Sequence, residues 1–190
     1  RYIGVRDERS GTHMADGYGR ISGRPGVILA GQAGPGSSNL VTGLIQAQLA
    51  FSPVVAITGL VSTSHFGRDT LQEFDQHGLF SPIVKRNWNV LRADRIGEFV
   101  REAVRYASVG RQGPVVLNIP RDLFAQQVSE TEPRWDARDK ISLGVPDAAK
   151  IAEIAQLIRN AKSPLIISGG GIKSGRGSDH LVALSKATGI

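Results

Sequence analysis

The chain has 190 residues, 41% of them hydrophobic and 21% charged, which is typical of a globular protein and unlike a disordered one. It contains no cysteine, which excludes disulfides, thiolate metal sites and cysteine nucleophiles and fits a reducing cytosol. A net charge of +6 would suit a nucleic-acid partner, but the arginines form no basic stripe, so we favour an ordinary solvated surface and expect no nucleic acid.

Targeting and metal signals are also absent from the sequence. No apolar run approaches the roughly 18 residues of a membrane span, and no signal-peptide pattern occurs. The four histidines form no close pair, so a zinc site is not expected. We therefore predict a cytoplasmic protein without a membrane partner. Because the chain begins at Arg1 without a methionine, we expect it to be a fragment of a longer protein.

Strand and helix patterns alternate along the first part of the chain. An apolar segment at residues 2–5 predicts a strand, and a helix follows from Glu8. Near-continuous apolar runs predict buried strands at residues 26–30, 53–58 and 114–119, and a further short apolar segment lies at 82–84. Three- and four-residue apolar spacing predicts helices at 40–49 and 93–108. This alternation predicts an α/β fold: a parallel sheet with helices on both faces.

The character of the sequence changes after about residue 124. Residues 125–146 are polar and contain two prolines, which predicts a linker between domains. Asp147 then suits the N-cap of a helix, and residues 164–167 and 180–187 predict a strand and a further helix. We interpret residues 147–190 as the start of a second α/β domain. The glycine-rich segment 168–175 matches no nucleotide-binding spacing and is interpreted as a turn.

Three polar features follow predicted strands, at the edge where parallel sheets usually bind ligands. Glu8 opens a helix, and its carboxylate is either a chemical group or a charge favoured by the helix dipole. Residues 31–39 are rich in glycine and allow close backbone approach, but they equally suit a tight turn. The acidic segment 69–75 lies in the longest loop and is either functional or a solvated turn.

Five motifs in this order resemble the pyrimidine-binding domain of thiamine diphosphate (ThDP) enzymes of the acetolactate synthase type. They are DERSGTHMADGYGR at 7–20, GPGSSN at 34–39, PVVAITG at 53–59, LQEFD at 71–75 and GPVVLNIPRD at 113–122. The resemblance implies a pyrimidine-binding domain over residues 1–124 that lacks its first elements, and the beginning of the central domain at 147–190.

The resemblance also implies roles for particular residues. Glu8 matches the glutamate that hydrogen-bonds N1′ of the cofactor's aminopyrimidine, so that N4′ can remove the C2 proton and form the ylide. Gly34, Pro35, Gly36 and Asn39 match the loop beside the pyrimidine and the substrate. Gln72 matches a glutamine near the reacting carbonyl of a 2-keto acid, whose carbon–carbon bond such enzymes cleave or form.

Two departures from acetolactate synthases leave the substrate open. Asp7 stands where these enzymes usually have histidine, and Leu71 stands where they usually have phenylalanine. The motif around Glu8 looks closer to sulfoacetaldehyde acetyltransferase, a relative that makes acetyl phosphate. A synthase, an acetyltransferase and a decarboxylase remain alternatives, as does a non-catalytic pyrimidine domain that serves only assembly.

The remaining expectations concern cofactors and assembly. The resemblance implies ThDP and Mg²⁺, with the metal bound by a diphosphate-binding domain whose Gly-Asp-Gly motif does not occur in this sequence. FAD binding is left open. The family pairs the pyrimidine domain of one subunit with the diphosphate domain of another, so we expect a homodimer or homotetramer, an inactive isolated chain, and a small 2-keto acid or aldehyde as the substrate.

Overall fold

The computed structural model describes residues 2–29, 31–129, 144–174 and 177–190, which fall into two compact units, Arg1–Asp136 and Ala137–Ile190. The first unit contains helices α1 (Glu8–Ser22), α2 (Pro35–Ser38), α3 (Val41–Leu49), α4 (Gln76–Phe80) and α5 (Ile96–Ser108). Its strands are β1 (Gly26–Leu29), β2 (Val54–Leu60), β3 (Arg86–Asn89) and β4 (Pro114–Pro120). Single 3₁₀ turns lie at Thr63–His65, Ala93–Arg95 and Arg121–Ala125.

The four strands form one parallel sheet in the order β1-β2-β4-β3. Since all strands run the same way, their carboxyl ends lie along one edge, and the segments that follow β1, β2 and β4 meet there. The register pairs Thr58 of β2 with Asn118 of β4, and Asn118 with Asn89 of β3. A row of polar side chains therefore crosses the sheet near this edge.

The apolar side chains of the sheet alternate between two faces, and helices cover both. Along β2, Val54 and Ala56 pack in one core cluster with residues of α1, α3 and α4, while Val55 packs in another cluster with residues of α5. This alternation is the period-two pattern of a strand buried on both sides. The predicted α/β fold with helices on both faces is confirmed.

Helix α1 lies unusually close to its neighbours because small residues line the contact. A Cβ atom on Gly26 would collide with the carbonyl oxygen of Ala15, and one on Gly43 would lie 2.6 Å from Thr12 Cβ. A Cβ atom on Gly19 would lie 2.7 Å from Pro53 O. Only glycine permits these approaches. They hold α1 against β1 and α3 and so determine where its first residue, Glu8, lies.

One strand prediction for the first unit is wrong, because the segment 2–5 forms no strand. The short apolar segment at 82–84 precedes strand β3, which lies at Arg86–Asn89. A strand requires a neighbour that supplies hydrogen-bond partners, and an apolar pattern alone does not reveal one. Residue 30, the predicted end of the first strand, lies outside the described residues.

The second unit contains α6 (Ala148–Asn160), α7 (Gly171–Ser174) and α8 (Ser178–Thr188). Asp147 caps α6 as predicted, since its side chain accepts a hydrogen bond from Ala149 N at 2.8 Å. The predicted strand at 164–167 is wrong for the part of the chain described, because no neighbouring strand pairs with it and its Leu165 and Ile167 are exposed.

The predicted domain boundaries stay predictions. Of the predicted linker 125–146, residues 130–143 lie outside the described part of the chain. The division between the two units also falls within that span. Within the four described ranges, no helix is both long and apolar enough to cross a membrane.

Candidate functional site

Asp7 fixes the start of α1 and thereby the position of Glu8. It has extended backbone angles, and its Oδ1 accepts a hydrogen bond from Arg9 N at 2.8 Å, as an N-cap residue does. The Arg9 guanidinium also donates to both carboxylate oxygens, at 3.0 and 2.8 Å. This side-chain hydrogen bonding lowers the pKa of Asp7 to about 2. Asp7, one of the two residues that depart from the acetolactate synthase pattern, thus has a structural role as the N-cap of α1.

The carboxylate of Glu8 lies between α1 and the glycine turn after β1. It is half-buried, and its Oε2 accepts a hydrogen bond from Asn39 Nδ2 at 3.1 Å. A Cβ atom on Gly36 would lie 3.2 Å from Glu8 Oε1, so this glycine leaves room for the carboxylate. Glu8 therefore lies against two other predicted site residues, Gly36 and Asn39, which are about thirty positions away in sequence. The other carboxylate oxygen, Oε1, lies against the turn.

The glycine turn contacts the loop that carries Gln72. Gly34 has φ 72° and ψ −116°, a conformation that favours glycine, and a Cβ atom there would lie 2.9 Å from Gln72 Cβ. Pro35 follows as the first residue of α2, where its fixed φ suits a helix start. Gln72 itself has φ 70°, an unusual value for a residue with a side chain. Such strain is found most often at functional sites.

A buried hydrogen-bond network holds the turn in place. The amide of Gly34 donates to Gln76 Oε1 at 3.1 Å, and Gln76 Nε2 donates to Thr58 Oγ1 and Gly59 O, each at 3.1 Å. Asn118 Oδ1 accepts from Thr58 Oγ1 at 2.9 Å and from Gln76 Nε2 at 3.3 Å. Gln76, Thr58 and Asn118 are each at most 1% exposed. The network therefore connects the turn to β2 and β4.

The sequence patterns did not predict this network. One signal was available: Thr58 and Asn118 each interrupt an apolar strand near its carboxyl end. Polar residues at that position are rarely placed for packing, since burial of an unpaired polar group is costly. Gln76 carried no such signal, because it begins a short helix in a polar stretch.

Glu73 and Asp75 accept hydrogen bonds from backbone amides of the loop and of the helix that follows it. Glu73 accepts hydrogen bonds from the amides of Gly67 at 2.6 Å, Thr70 at 3.1 Å and Arg68 at 3.3 Å. The bond from the Gly67 amide makes the largest contribution to lowering the pKa of Glu73. Asp75 caps α4 by accepting from Gly78 N at 2.8 Å. Both carboxylates of this motif thus order the backbone that presents Gln72.

A cleft of about 340 Å³ opens beside these elements at the carboxyl edge of the sheet. Its lining consists of Gly31, Gln32, Ala33, Gly59, Leu60, Val61, His65, Thr70, Leu71, Gln72, Arg121 and Phe124. Gly31 connects the cleft to the first part of the site, since a Cβ atom there would lie 3.8 Å from Glu8 Oε1. The cleft therefore runs from the Glu8 side of the turn to the segment after β4.

The far side of the cleft is fastened by contacts between the loops after β2 and β4. Asp122 accepts hydrogen bonds from Thr63 N at 2.9 Å and Thr63 Oγ1 at 2.8 Å. Arg121 Nε donates to Ser62 Oγ at 2.9 Å. In the described part of the chain, no three His, Cys, Asp or Glu side chains are grouped so that they could hold a metal ion.

The chain is similar in sequence to a known family and to several known proteins. Residues 1–79 match the family described as thiamine pyrophosphate enzyme, N-terminal TPP binding domain. The chain is 38% identical over 186 residues to a probable acetolactate synthase large subunit of Methanococcus aeolicus, covering 95% of this chain and 31% of that protein. It is 38% identical over 191 residues to an acetolactate synthase of Mycobacterium bovis, covering 100% of this chain and 31% of that protein.

A third relative shows the same pattern. The acetolactate synthase large subunit of Parasynechococcus marenigrum is 40% identical over 190 residues, covering 98% of this chain and 30% of that protein. The chain thus spans about three tenths of the length of the curated relatives it matches.

Residues 1–79 are thus similar to an N-terminal TPP binding domain, and the four-stranded parallel sheet covered by helices agrees with the fold of a pyrimidine-binding domain. Because the similarity to acetolactate synthases extends over nearly the whole chain, the predicted resemblance to ThDP enzymes of the acetolactate synthase type is also confirmed.

Proposed function

We propose that the parent protein of this chain is a ThDP- and Mg²⁺-dependent enzyme that cleaves or forms a carbon–carbon bond of a 2-keto acid. The observation that carries the proposal is the contact of Glu8 with Asn39 and with the glycine turn, at the ligand-binding edge of a TPP binding domain. A half-buried carboxylate whose Oε2 is held by an amide suits one hydrogen bond to a nitrogen heterocycle.

The residues of the site fit an aminopyrimidine ring. Glu8 Oε1 lies against Gly36, where any side chain would crowd the carboxylate, and the turn from Gly31 to Gly36 offers backbone surface for a flat ring. In this proposal Glu8 holds a proton at the ring's N1′, and Asn39 keeps the carboxylate oriented towards it. When bound, ThDP supplies the electron sink that the carbon–carbon chemistry requires.

Gln72 is the proposed contact to the reacting carbonyl. Its backbone touches Gly34, and its side chain lines the cleft that continues from the glycine turn. An uncharged amide that donates a hydrogen bond suits a carbonyl oxygen on which negative charge develops. The strained backbone of Gln72 is consistent with this role, because loop contacts maintain a conformation that packing alone would not favour.

Further parts of the proposal concern the rest of the parent protein. A diphosphate-binding domain beyond this chain would bind Mg²⁺. The cytoplasm is the proposed compartment, because a sequence without cysteine has no disulfides and fits a reducing environment. FAD binding stays an open option. A synthase is favoured by the names of the relatives, whereas the motif around Glu8, with Asp7 before it, looks closer to that of an acetyltransferase that uses sulfoacetaldehyde.

Assembly into a homodimer or homotetramer is proposed as well. Met14, Tyr18 and Ile21 lie on one face of α1, at four- and three-residue spacing, and are 49%, 52% and 89% exposed. An apolar stripe on the helix that carries Glu8 suits a contact with another subunit. Such a contact would close the site from the side that this chain leaves open.

The proposal is tested by Glu8→Gln in the full-length parent with ThDP and Mg²⁺. We expect turnover of pyruvate, or of sulfoacetaldehyde with phosphate, to fall by roughly two to four powers of ten, because glutamine cannot hold a proton at N1′. The control is Glu98→Gln, which makes the same atomic change in an exposed residue of α5. Glu98 forms an ion pair with Arg95, which precedes this helix. Unchanged turnover in Glu8→Gln would remove this residue from the mechanism, and a parent that binds no ThDP would leave the assembly role.

A further inference from the structure

The ionisable side chains that line the cleft are both basic. They are Arg121, directly after β4, and His65, at the end of the 3₁₀ turn after β2; among the described residues, no Asp or Glu belongs to the lining. The other lining residues are small, polar and uncharged, or apolar, among them Leu60, Leu71 and Phe124.

Arg121 is held at one end and open at the other. Its Nε donates to Ser62 Oγ at 2.9 Å, while its two terminal nitrogens have no hydrogen bond or ion pair to any residue in the described ranges. The adjacent carboxylate, Asp122, is occupied by the amide and hydroxyl of Thr63. A guanidinium anchored in this way presents a planar pair of donors, the geometry that recognises an oxyanion such as carboxylate or sulfonate.

Other arginines of the same unit are arranged differently. Five of them form an ion pair with an aspartate or glutamate: Arg9, Arg20, Arg92, Arg95 and Arg105. Arg111, at the amino end of β4, lies over the ring of Phe51, with 4.0 Å between its Cζ and the ring centroid. Arg121 thus differs from these five arginines in having no carboxylate ion pair within the described part of the chain, and it differs from Arg111 in lining the cleft.

We propose that Arg121 binds the anionic group of the carbonyl substrate, with Gln72 at the carbonyl and His65 as a further donor, so that the cleft selects an acid over a neutral aldehyde. This inference rests on the proposed function, since it concerns the same site. The shared chemistry is an oxyanion two or three bonds from a carbonyl carbon. A 2-keto carboxylate and an aldehyde sulfonate both satisfy it, and they are separated by the test.

The test uses the full-length parent loaded with ThDP and Mg²⁺, as wild type, Arg121→Gln and Arg121→Lys, with Arg111→Gln as the matched control. KM and kcat are measured with pyruvate, with sulfoacetaldehyde plus phosphate, and with neutral acetaldehyde. Loss of a charge-assisted hydrogen bond predicts that Arg121→Gln raises KM for the anionic substrate by about 10- to 100-fold. The KM for acetaldehyde should change less than about twofold, and Arg121→Lys should recover part of the loss because it keeps the charge.

A binding measurement makes the test independent of turnover. The dissociation constants of oxamate, methanesulfonate and neutral oxamide are measured by calorimetry on the same four proteins. Weaker binding of one anion to Arg121→Gln alone, with oxamide unaffected, supports the proposal and identifies the anionic group. Equal losses for charged and neutral probes, or wild-type binding of both anions, overturn it. ThDP affinity, which should not change in any variant, reports on the proposed function separately.

Discussion

The substitution Gln76→Glu exchanges one buried NH₂ group for an oxygen and leaves the side-chain volume almost unchanged. In the wild-type chain this nitrogen donates to Thr58 Oγ1 and Gly59 O at 3.1 Å, and to Asn118 Oδ1 at 3.3 Å. The carbonyl of Gly59 and the Oδ1 of Asn118 can only accept hydrogen bonds. A carboxylate oxygen at this place would therefore face two acceptors, whereas the contact of Oε1 with the Gly34 amide would remain.

The size of the effect follows from these contacts. With the new carboxyl protonated, one O–H replaces two N–H donors, and an acceptor that loses its donor costs about 1–3 kcal/mol of unfolding free energy. Burial beside two acceptors, with the Gly34 amide as the donor that remains, raises the pKa of this carboxyl in the folded state above the unfolded value of about 4.3. If it stays protonated in the folded chain at pH 7, the further cost is about 1.4 kcal/mol for each of nearly three pH units, or about 3–4 kcal/mol.

The raised pKa of the folded state determines how the stability of Gln76→Glu depends on pH. Above about pH 4.3 the unfolded chain releases the proton and the folded chain retains it, so the folded state binds more protons. The stability of Gln76→Glu relative to wild type should therefore fall as pH rises from about 4 to 7. A carboxylate that gained partners on folding would show the opposite slope.

Denaturant unfolding followed by tryptophan fluorescence measures the difference, because Trp88 lies on β3 and its carbonyl accepts from Asn118 Nδ2 at 3.2 Å. Wild type, Gln76→Glu and the control Gln46→Glu, an exposed residue of α3, are compared from pH 4.5 to 7.5. A stability loss below about 1 kcal/mol, or a loss that does not depend on pH, would show that Gln76 is not the buried connector described here.

Two further predictions concern the loop and the proposed subunit contact. Glu73 has a lowered pKa in the folded chain, chiefly because the Gly67 amide donates to it. Its carboxylate therefore orders the loop fully above the unfolded pKa of about 4.3, and this order is lost as pH falls through the lower pKa of the folded chain. Amide exchange should show protection of residues 67–70 at pH 6 that is absent in Glu73→Gln, and equal protection in both proteins would contradict this prediction. Ile21→Glu should shift the full-length parent towards smaller assemblies in sedimentation velocity, while Ile151→Glu on α6 should not, and an unchanged assembly state would exclude the apolar stripe of α1 as a contact.

The sequence predicted the central strands better than the edges of the fold. β2 and β4 are buried on both faces and have continuous apolar sequences, so a local pattern is sufficient to identify them. β3 is an edge strand with the sequence RNWN, and its Trp88 packs against the rings of Phe99 and Tyr106. Its strand character comes from pairing with β4, which a local pattern does not contain.

For two other segments, an apolar pattern predicted a strand that does not form. Residues 2–5 and 164–167 have the apolar composition of strands, but neither has a hydrogen-bonding neighbour in the described chain. A strand is stabilised by partners that lie far away in sequence, whereas a helix satisfies its hydrogen bonds locally. This explains why the helices at Glu8, Ala93 to Ser108 and Asp147 were predicted closely, even where the neighbouring strands were not.

The candidate site likewise contains residues that the sequence predicted and contacts that it did not predict. The residues taken from the resemblance, such as Glu8, Asn39 and Gln72, follow recognisable motifs. The contacts that hold them, Gln76 with Thr58 and with Asn118, join positions 18 and 42 residues apart and exist only in the observed sheet register. Motifs therefore named the groups proposed to touch ligands, and the fold was needed to find what positions them.

Different contacts position the residues at the two ends of the cleft. Glu8 depends on the cap at Asp7 and on the close packing of α1, whereas Arg121 depends on the fastening between the loops after β2 and β4. Gln76 lies between them and holds the turn at Gly34. If Arg121 binds the substrate's anion as proposed, we expect substitutions around Arg121 to alter the choice of anion without moving the carboxylate of Glu8.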